Sequence, residues 1–136
     1  MQGKKLKHKD CLEFIFAGNS TFTCKNPKTG NRFTFKVKKH KRDEIYFVSV
    51  FTGPEQMTFM GSLRKNTRYR HSFKSSISIE SKSVKTFDYV IRHLRIGDLE
   101  NFIEIWHEGR CGRCGRKLTV PESIESGFGP ECVKLK

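Results

Sequence analysis

The stretch Arg32-Phe33-Thr34-Phe35-Lys36-Val37-Lys38 alternates basic or polar side chains with apolar ones. A period of two is the period of a β-strand. It sets Phe33, Phe35 and Val37 against a core and turns Arg32, Thr34, Lys36 and Lys38 toward solvent. Just before it, Asn26-Pro27-Lys28-Thr29-Gly30-Asn31 is dense in turn formers and predicts a hairpin. The other arm of that hairpin is Thr21 to Lys25, with Phe22 and Cys24 on one face. After it comes a basic loop, Lys39-His40-Lys41-Arg42-Asp43-Glu44. Ile45 to Phe51 is then apolar on both faces, as in a central strand, Gly53-Pro54 turns the chain, and Met57 to Leu63 gives a further strand.

The flanks read less sharply. Met1 to Asp10, with Lys4, Lys5, Lys7 and Lys9, is expected to be a disordered basic arm. Leu12 to Phe16 reads as a first strand, punctuated by Gly18-Asn19. Arg64 to Lys82 reads as a basic loop with a short strand at Ser76–Glu80. Val84, Phe87, Val90, Ile91 and Leu94 recur at helical spacing; Ser81 or Ser83 can cap that helix, and Gly97 stops it. Asn101 to Trp106 reads as a short strand. The expected class is α+β: a small antiparallel sheet with one helix, then a metal-binding knuckle that ends in a short C-terminal helix. The expected divisions are an arm over 1–10, a basic sheet-plus-helix unit over 11–98 and a metal-binding segment over 99–136.

The formal charge is +13, and all of the excess lies within residues 1–98. A field of one sign on a small domain attracts polyanions, either nucleic acid or an acidic protein surface. No apolar stretch approaches the length of a membrane span, and no secretory leader is expected from the polar, basic residues 1–10. A cytoplasmic location is therefore expected, where clustered cysteines read as metal ligands rather than disulfides.

The ligand pattern is His107-x3-Cys111-x2-Cys114-x17-Cys132. Two residues between Cys111 and Cys114 let both thiolates reach one ion, with Gly112 and Gly115 easing the knuckle. Pro130 suits the first turn of a helix, where a thiolate at Cys132 is stabilised. Three cysteines leave a tetrahedral site one short. His107 is expected as the fourth ligand, ahead of His71, His93 or a water, and closes one structural zinc site. Arg110, Arg113, Arg116 and Lys117 either neutralise the thiolates or contact phosphate.

The run Trp106-His107-Glu108-Gly109-Arg110-Cys111-Gly112-Arg113-Cys114-Gly115-Arg116-Lys117-Leu118-Thr119, with Pro121-Glu122-Ser123-Ile124 and Gly127-x-Gly129-Pro130-Glu131-Cys132, resembles a small zinc-binding domain family of unknown function. Its members occur in phage, plasmid and other mobile-element proteins. Lys28 to Val37, Phe47 to Pro54 and Gly61-Ser62-Leu63 resemble its amino-terminal sheet. The resemblance implies zinc binding and a mobile-element origin, and it implies no activity.

The leading expectation is a nucleic-acid-binding protein, DNA or RNA, largely sequence-independent and favouring single strands. Its footprint is Arg32, Lys36 and Lys38 on the strand, Lys39, Lys41 and Arg42 in the loop, then Arg64, Lys65, Arg68, Arg70 and Lys74. Tyr69 and Phe73 are stacking platforms if exposed, and Arg113 and Arg116 are phosphate contacts on the knuckle. The alternative is a mobile-element protein that binds and inhibits a host protein. Paired carboxylates, a nucleophile elbow, a phosphate-binding loop and a metallohydrolase triad are all missing from the sequence, so neither an enzyme nor a small-molecule substrate is expected.

Overall fold

The alternating stretch becomes β3 (Asn31–Lys39), hairpinned to β2 (Asn19–Asn26) so that Cys24 faces Phe33 and Lys25 faces Arg32. The computed structural model describes residues 3–135. Beyond β3 the chain continues as an antiparallel meander through β4 (Tyr46–Gly53), β5 (Gln56–Leu63) and the two-residue β6 (Arg70–His71). The other edge is built from the two ends of the chain. Strand β7 (Glu104–His107) pairs with β2, and β1 (Lys4–Leu6) pairs with β7. The sheet order is thus β1-β7-β2-β3-β4-β5-β6, antiparallel throughout.

One face of the sheet carries the core. Phe22, Phe35, Val37, Tyr46, Val48, Met60 and Ile105 are fully or almost fully buried there. Helix α2 (Lys82–Ile96) lays Val84, Phe87, Val90, Ile91 and Leu94 on them, with the Phe87 and Phe35 rings 5.1 Å apart. Burying a ring such as Phe87 is worth about 1.5–3 kcal/mol over leaving it in water. Ser81 caps α2 by accepting from the amide of Val84 at 3.4 Å, and Gly97 ends it in the left-handed region at φ 90°. These are the start and stop read from the sequence, and the α+β class with its antiparallel sheet and short C-terminal helix stands.

Several local expectations do not. Lys4–Leu6 is a paired strand and His8–Ile15 is helix α1, not part of a disordered arm followed by a strand. The physical reason is the stripe Cys11, Phe14 and Ile15, buried at helical spacing. Leu6 also reaches the core, 8% exposed. Met1 and Gln2, also assigned to the arm, lie outside the described residues. Ser76–Glu80 forms turns rather than a strand; the short strand in this region is β6. The helix count rises to three among the described residues, with α3 (Pro121–Ser126) before a final 3-10 turn, Cys132–Leu135. The boundary drawn between residues 98 and 99 does not separate independent structural units, because β7 sits inside the sheet between β1 and β2.

Candidate metal centre and cationic face

The sulfur atoms of Cys111, Cys114 and Cys132 all lie within 4.8 Å of one another. The knuckle that carries two of them is a tight hairpin. The Gly115 amide donates to the Cys111 carbonyl at 2.9 Å, the Cys111 amide to Arg116 at 2.9 Å and the Leu118 amide to Gly109 at 2.8 Å. Its two glycines serve different ends. Gly115 occupies the left-handed region at φ 80°, as a sharp turn requires. Gly112 is needed for space: a Cβ there would stand 2.7 Å from the Phe14 ring of α1. Phe14 in turn packs on Phe128 at 5.8 Å and His107 at 5.9 Å. The knuckle is therefore docked on the N-terminal helix, and its position depends on that packing.

One of the three sulfurs is eased toward the thiolate. Burial pushes the Cys111 thiol up, but hydrogen bonds from the backbone of Gly129, Cys114 and Arg113, and from the Cys114 thiol, outweigh it and bring Cys111 down to about 7. Cys132 is held up by burial and by the two neighbouring cysteines, although the Arg113 guanidinium donates to its sulfur at 3.9 Å. Three soft donors, one of them a thiol brought down to about 7, suit a thiophilic metal ion. Arg113 faces the sulfurs, which favours charge neutralisation for that residue. Arg116 lines the same hollow as the three cysteines but is exposed, with its side chain open to solvent.

His107 is not among these donors. Its ring is fully buried, Nε2 donates to the carbonyl of Ile124 at 2.5 Å, and Nδ1 accepts from the amide of Gly109 at 3.0 Å. Both nitrogens are engaged by backbone, so the expected fourth ligand is instead a tie between β7 and α3. His71 and His93, the other candidates, are also engaged, on the Ile77 carbonyl and on Asp98.

The sheet face opposite the core gathers much of the predicted footprint. Alternation and register bring Arg32, Lys36 and Lys38 of β3 onto it, next to Lys25 of β2 and Lys5 of β1. Arg70, paired with Ser62, joins them at the far edge. Lys36 is pulled below the ordinary lysine value chiefly by burial, with smaller contributions from its neighbours Lys38 and Arg110. The same face shows Trp106 on β7, Phe47 and Phe51 on β4 and Phe59 on β5, with the Phe47 and Phe59 rings 6.2 Å apart. Sequence reading missed Lys5, Lys25, Trp106, Phe47, Phe51 and Phe59. Lys25 was within reach, because the turn at 26–31 sets the hairpin register that pairs it with Arg32.

Other predicted contacts fall elsewhere. Tyr69 is 8% exposed and packs on Phe87 at 5.1 Å, so it is a core residue and offers no stacking platform. Arg68 is paired to Asp88 of α2 at 3.0 Å. Arg64 and Lys65 lie in the loop whose carbonyls bind Arg95, at 2.7 and 2.9 Å. Lys39 points to the core side of β3 and folds onto its own loop, reaching the Asp43 carbonyl at 3.2 Å. Lys41 and Arg42 are exposed at the tip of that loop, and Phe73 and Lys74 are exposed in the loop after β6.

Among the described residues no helix is long and apolar enough to cross a membrane. Neither the curated proteins nor the solved structures give a match to the chain. Residues 106–135 match a family of unknown function, DUF6011. The match spans the knuckle, α3 and Cys132 and leaves out the sheet upstream of β7, so the likeness seen at Lys28–Val37 and Phe47–Pro54 lies outside it.

Proposed function

We propose that the protein binds nucleic acid on the open face of its sheet, and that zinc held by Cys111, Cys114 and Cys132 stiffens the segment closing that sheet at β7. One observation carries the binding reading. Lys5, Lys25, Arg32, Lys36, Lys38 and Arg70 share a single face with Trp106, Phe47, Phe51 and Phe59. Cations there neutralise phosphates and supply affinity without a sequence code, while the rings offer faces to unpaired bases. Helix α2 is unsuited to reading a groove, because its Arg92 and the facing Arg68 are tied to Asp88.

Zinc is the favoured ion because a set of closely spaced thiolates at a Cys-x2-Cys knuckle is its common structural setting. The resemblance of residues 106–132 to zinc-binding domains of phage and plasmid proteins supports a mobile-element origin and a role in the host cytoplasm. The reading is of a binding protein, not an enzyme. Its test is a salt titration of binding to labelled DNA and RNA, with the Lys36→Glu/Lys38→Glu variant as control.

A second reading has one observation in its favour. Phe47, Met57 and Phe59 are 38%, 45% and 37% exposed at one end of the same face, and apolar groups in contact with water often mark a protein partner. A host-protein inhibitor of this kind would bind through β4 and β5 and be indifferent to nucleic acid.

A further inference from the structure

A cavity of about 270 Å³ opens on the cationic face at the junction of β7, β2 and β3. Trp106, Glu108, Thr23, Lys25 and Arg32 line it. Its walls are fixed in place. The Trp106 indole donates to Glu104 at 2.9 Å, which holds the ring. Glu108 accepts from the Thr23 hydroxyl at 2.6 Å, and that hydroxyl meets Thr34 at 2.7 Å. The register sets Trp106 against Thr23 and Lys25 against Arg32, so the ring and the two cations stand on adjacent strands.

Each wall asks for something different from an occupant. A half-buried indole offers a flat face for a heterocycle. A carboxylate accepts hydrogen bonds, so it favours a ring bearing an amino group. Two cations opposite each other, both on one side of the indole, favour a phosphate at that end of the ring. A nucleotide satisfies all three. A base inside a duplex does not, because its edge is paired and both of its faces are covered. We infer that this cavity receives one unpaired base of a single strand, stacked on Trp106, with an adjoining phosphate held between Lys25 and Arg32. This rests on the open face being a nucleic-acid surface, and it adds the cavity that takes the base and a base preference. Adenine, cytosine and guanine carry an exocyclic amino group for Glu108; thymine and uracil offer only a ring N3–H flanked by two carbonyl oxygens, which a carboxylate repels.

Trp106 is the single tryptophan of the chain, so its emission reports on the cavity directly. The full-length zinc-loaded protein is titrated with dye-labelled oligo(dC), oligo(dT), their ribose counterparts oligo(rC) and oligo(rU), and a mixed duplex. Dye anisotropy and tryptophan-selective emission are read in parallel. The expected result is saturable quenching of Trp106 by single strands, at the same midpoint as the anisotropy change, with no quenching by duplex. The cytosine strands should bind about tenfold more tightly than the thymine or uracil strands, the scale of one hydrogen bond to a charged group. Glu108→Gln should erase that preference and leave the salt dependence unchanged; the ribose and deoxyribose arms tell which backbone is taken. Binding without quenching, or equal quenching by duplex, overturns the cavity assignment and leaves the open-face reading standing. No binding of any form overturns both.

Discussion

The imidazole of His107 hydrogen-bonds through Nε2 to the carbonyl oxygen of Ile124, so the last residue of β7 is tied to α3 inside the core. With Nδ1 accepting from Gly109, the buried ring is a neutral tautomer with its proton on Nε2. His107→Ala should therefore leave the zinc content near one equivalent and lower stability instead. The expected loss is roughly 1–3 kcal/mol for each backbone partner left unpaired in the interior. Metal analysis beside urea unfolding separates this tie from a ligand role, in which zinc would fall with the ring.

The same ring predicts an acid response. Burial lowers the His107 pKa from the ordinary 6.5, although the Ile124 carbonyl, Glu108 and Glu125 pull the other way. A histidine lowered in the folded state binds its proton first in the unfolded state, so unfolding gains from acid. The contribution is fully present above pH 6.5 and is lost as pH falls from there toward the lower folded value. Urea midpoints at pH 7.5 and 5.5, with zinc content followed in each, should differ more for wild type than for His107→Asn. Equal differences would remove His107 as the source.

Cys132→Ala or Cys111→Ala should release the metal and loosen residues 101–135, because metal-binding energy is folding energy in such segments. The disturbance should extend beyond the knuckle. Strand β7 lies between β1 and β2, so amides of β1 should lose hydrogen-exchange protection along with those of 104–107. Protection retained in β1 would mean that the edge of the sheet stands without the metal.

Gly112→Ala tests the docking of the knuckle on α1. The added methyl meets the Phe14 ring and comes within 3.1 Å of its carbonyl oxygen, and overpacking of this kind costs about 1–3 kcal/mol. Thermal unfolding of the zinc-loaded variant is the readout. A paired Gly53→Ala change, at an ordinary φ and with only van der Waals contacts to Gln56 at 3.6 Å, controls for the general effect of replacing a glycine.

Patterns that repeat over a few residues were legible in the sequence. The alternation at Arg32–Lys38, the helical spacing from Val84 to Leu94 with its Ser81 and Gly97 ends, and the pairing of Cys111 with Cys114 all rest on local geometry. Features that depend on distant partners were not legible. Leu12–Phe16 is a short apolar run that suits strand or helix equally until Cys11, Phe14 and Ile15 meet the core. Tyr69 reads as a surface aromatic among arginines, and only the arrival of Phe87 on α2 buries it. His107 sits where a ligand would be expected, yet its Nε2–H donates to a carbonyl of α3. The cationic face shows the same divide: Arg32, Lys36 and Lys38 follow from alternation, while adding Lys5 and Trp106 requires knowing that both chain ends pair beside β2.

The most direct test of the central claim is the salt dependence of nucleic-acid binding for three zinc-loaded proteins. These are the wild type, Lys36→Glu/Lys38→Glu on the open face, and Arg64→Glu/Lys65→Glu in the loop on the other side. Wild-type log affinity should fall linearly with log salt, by about 0.7 per phosphate contact for single strands or 0.9 for duplex. The open-face variant should lose binding at every salt concentration with its zinc intact, while the loop variant keeps the wild-type slope. Equal losses in the two variants, or a wild type that binds nothing at low salt, would contradict a nucleic-acid surface on this face.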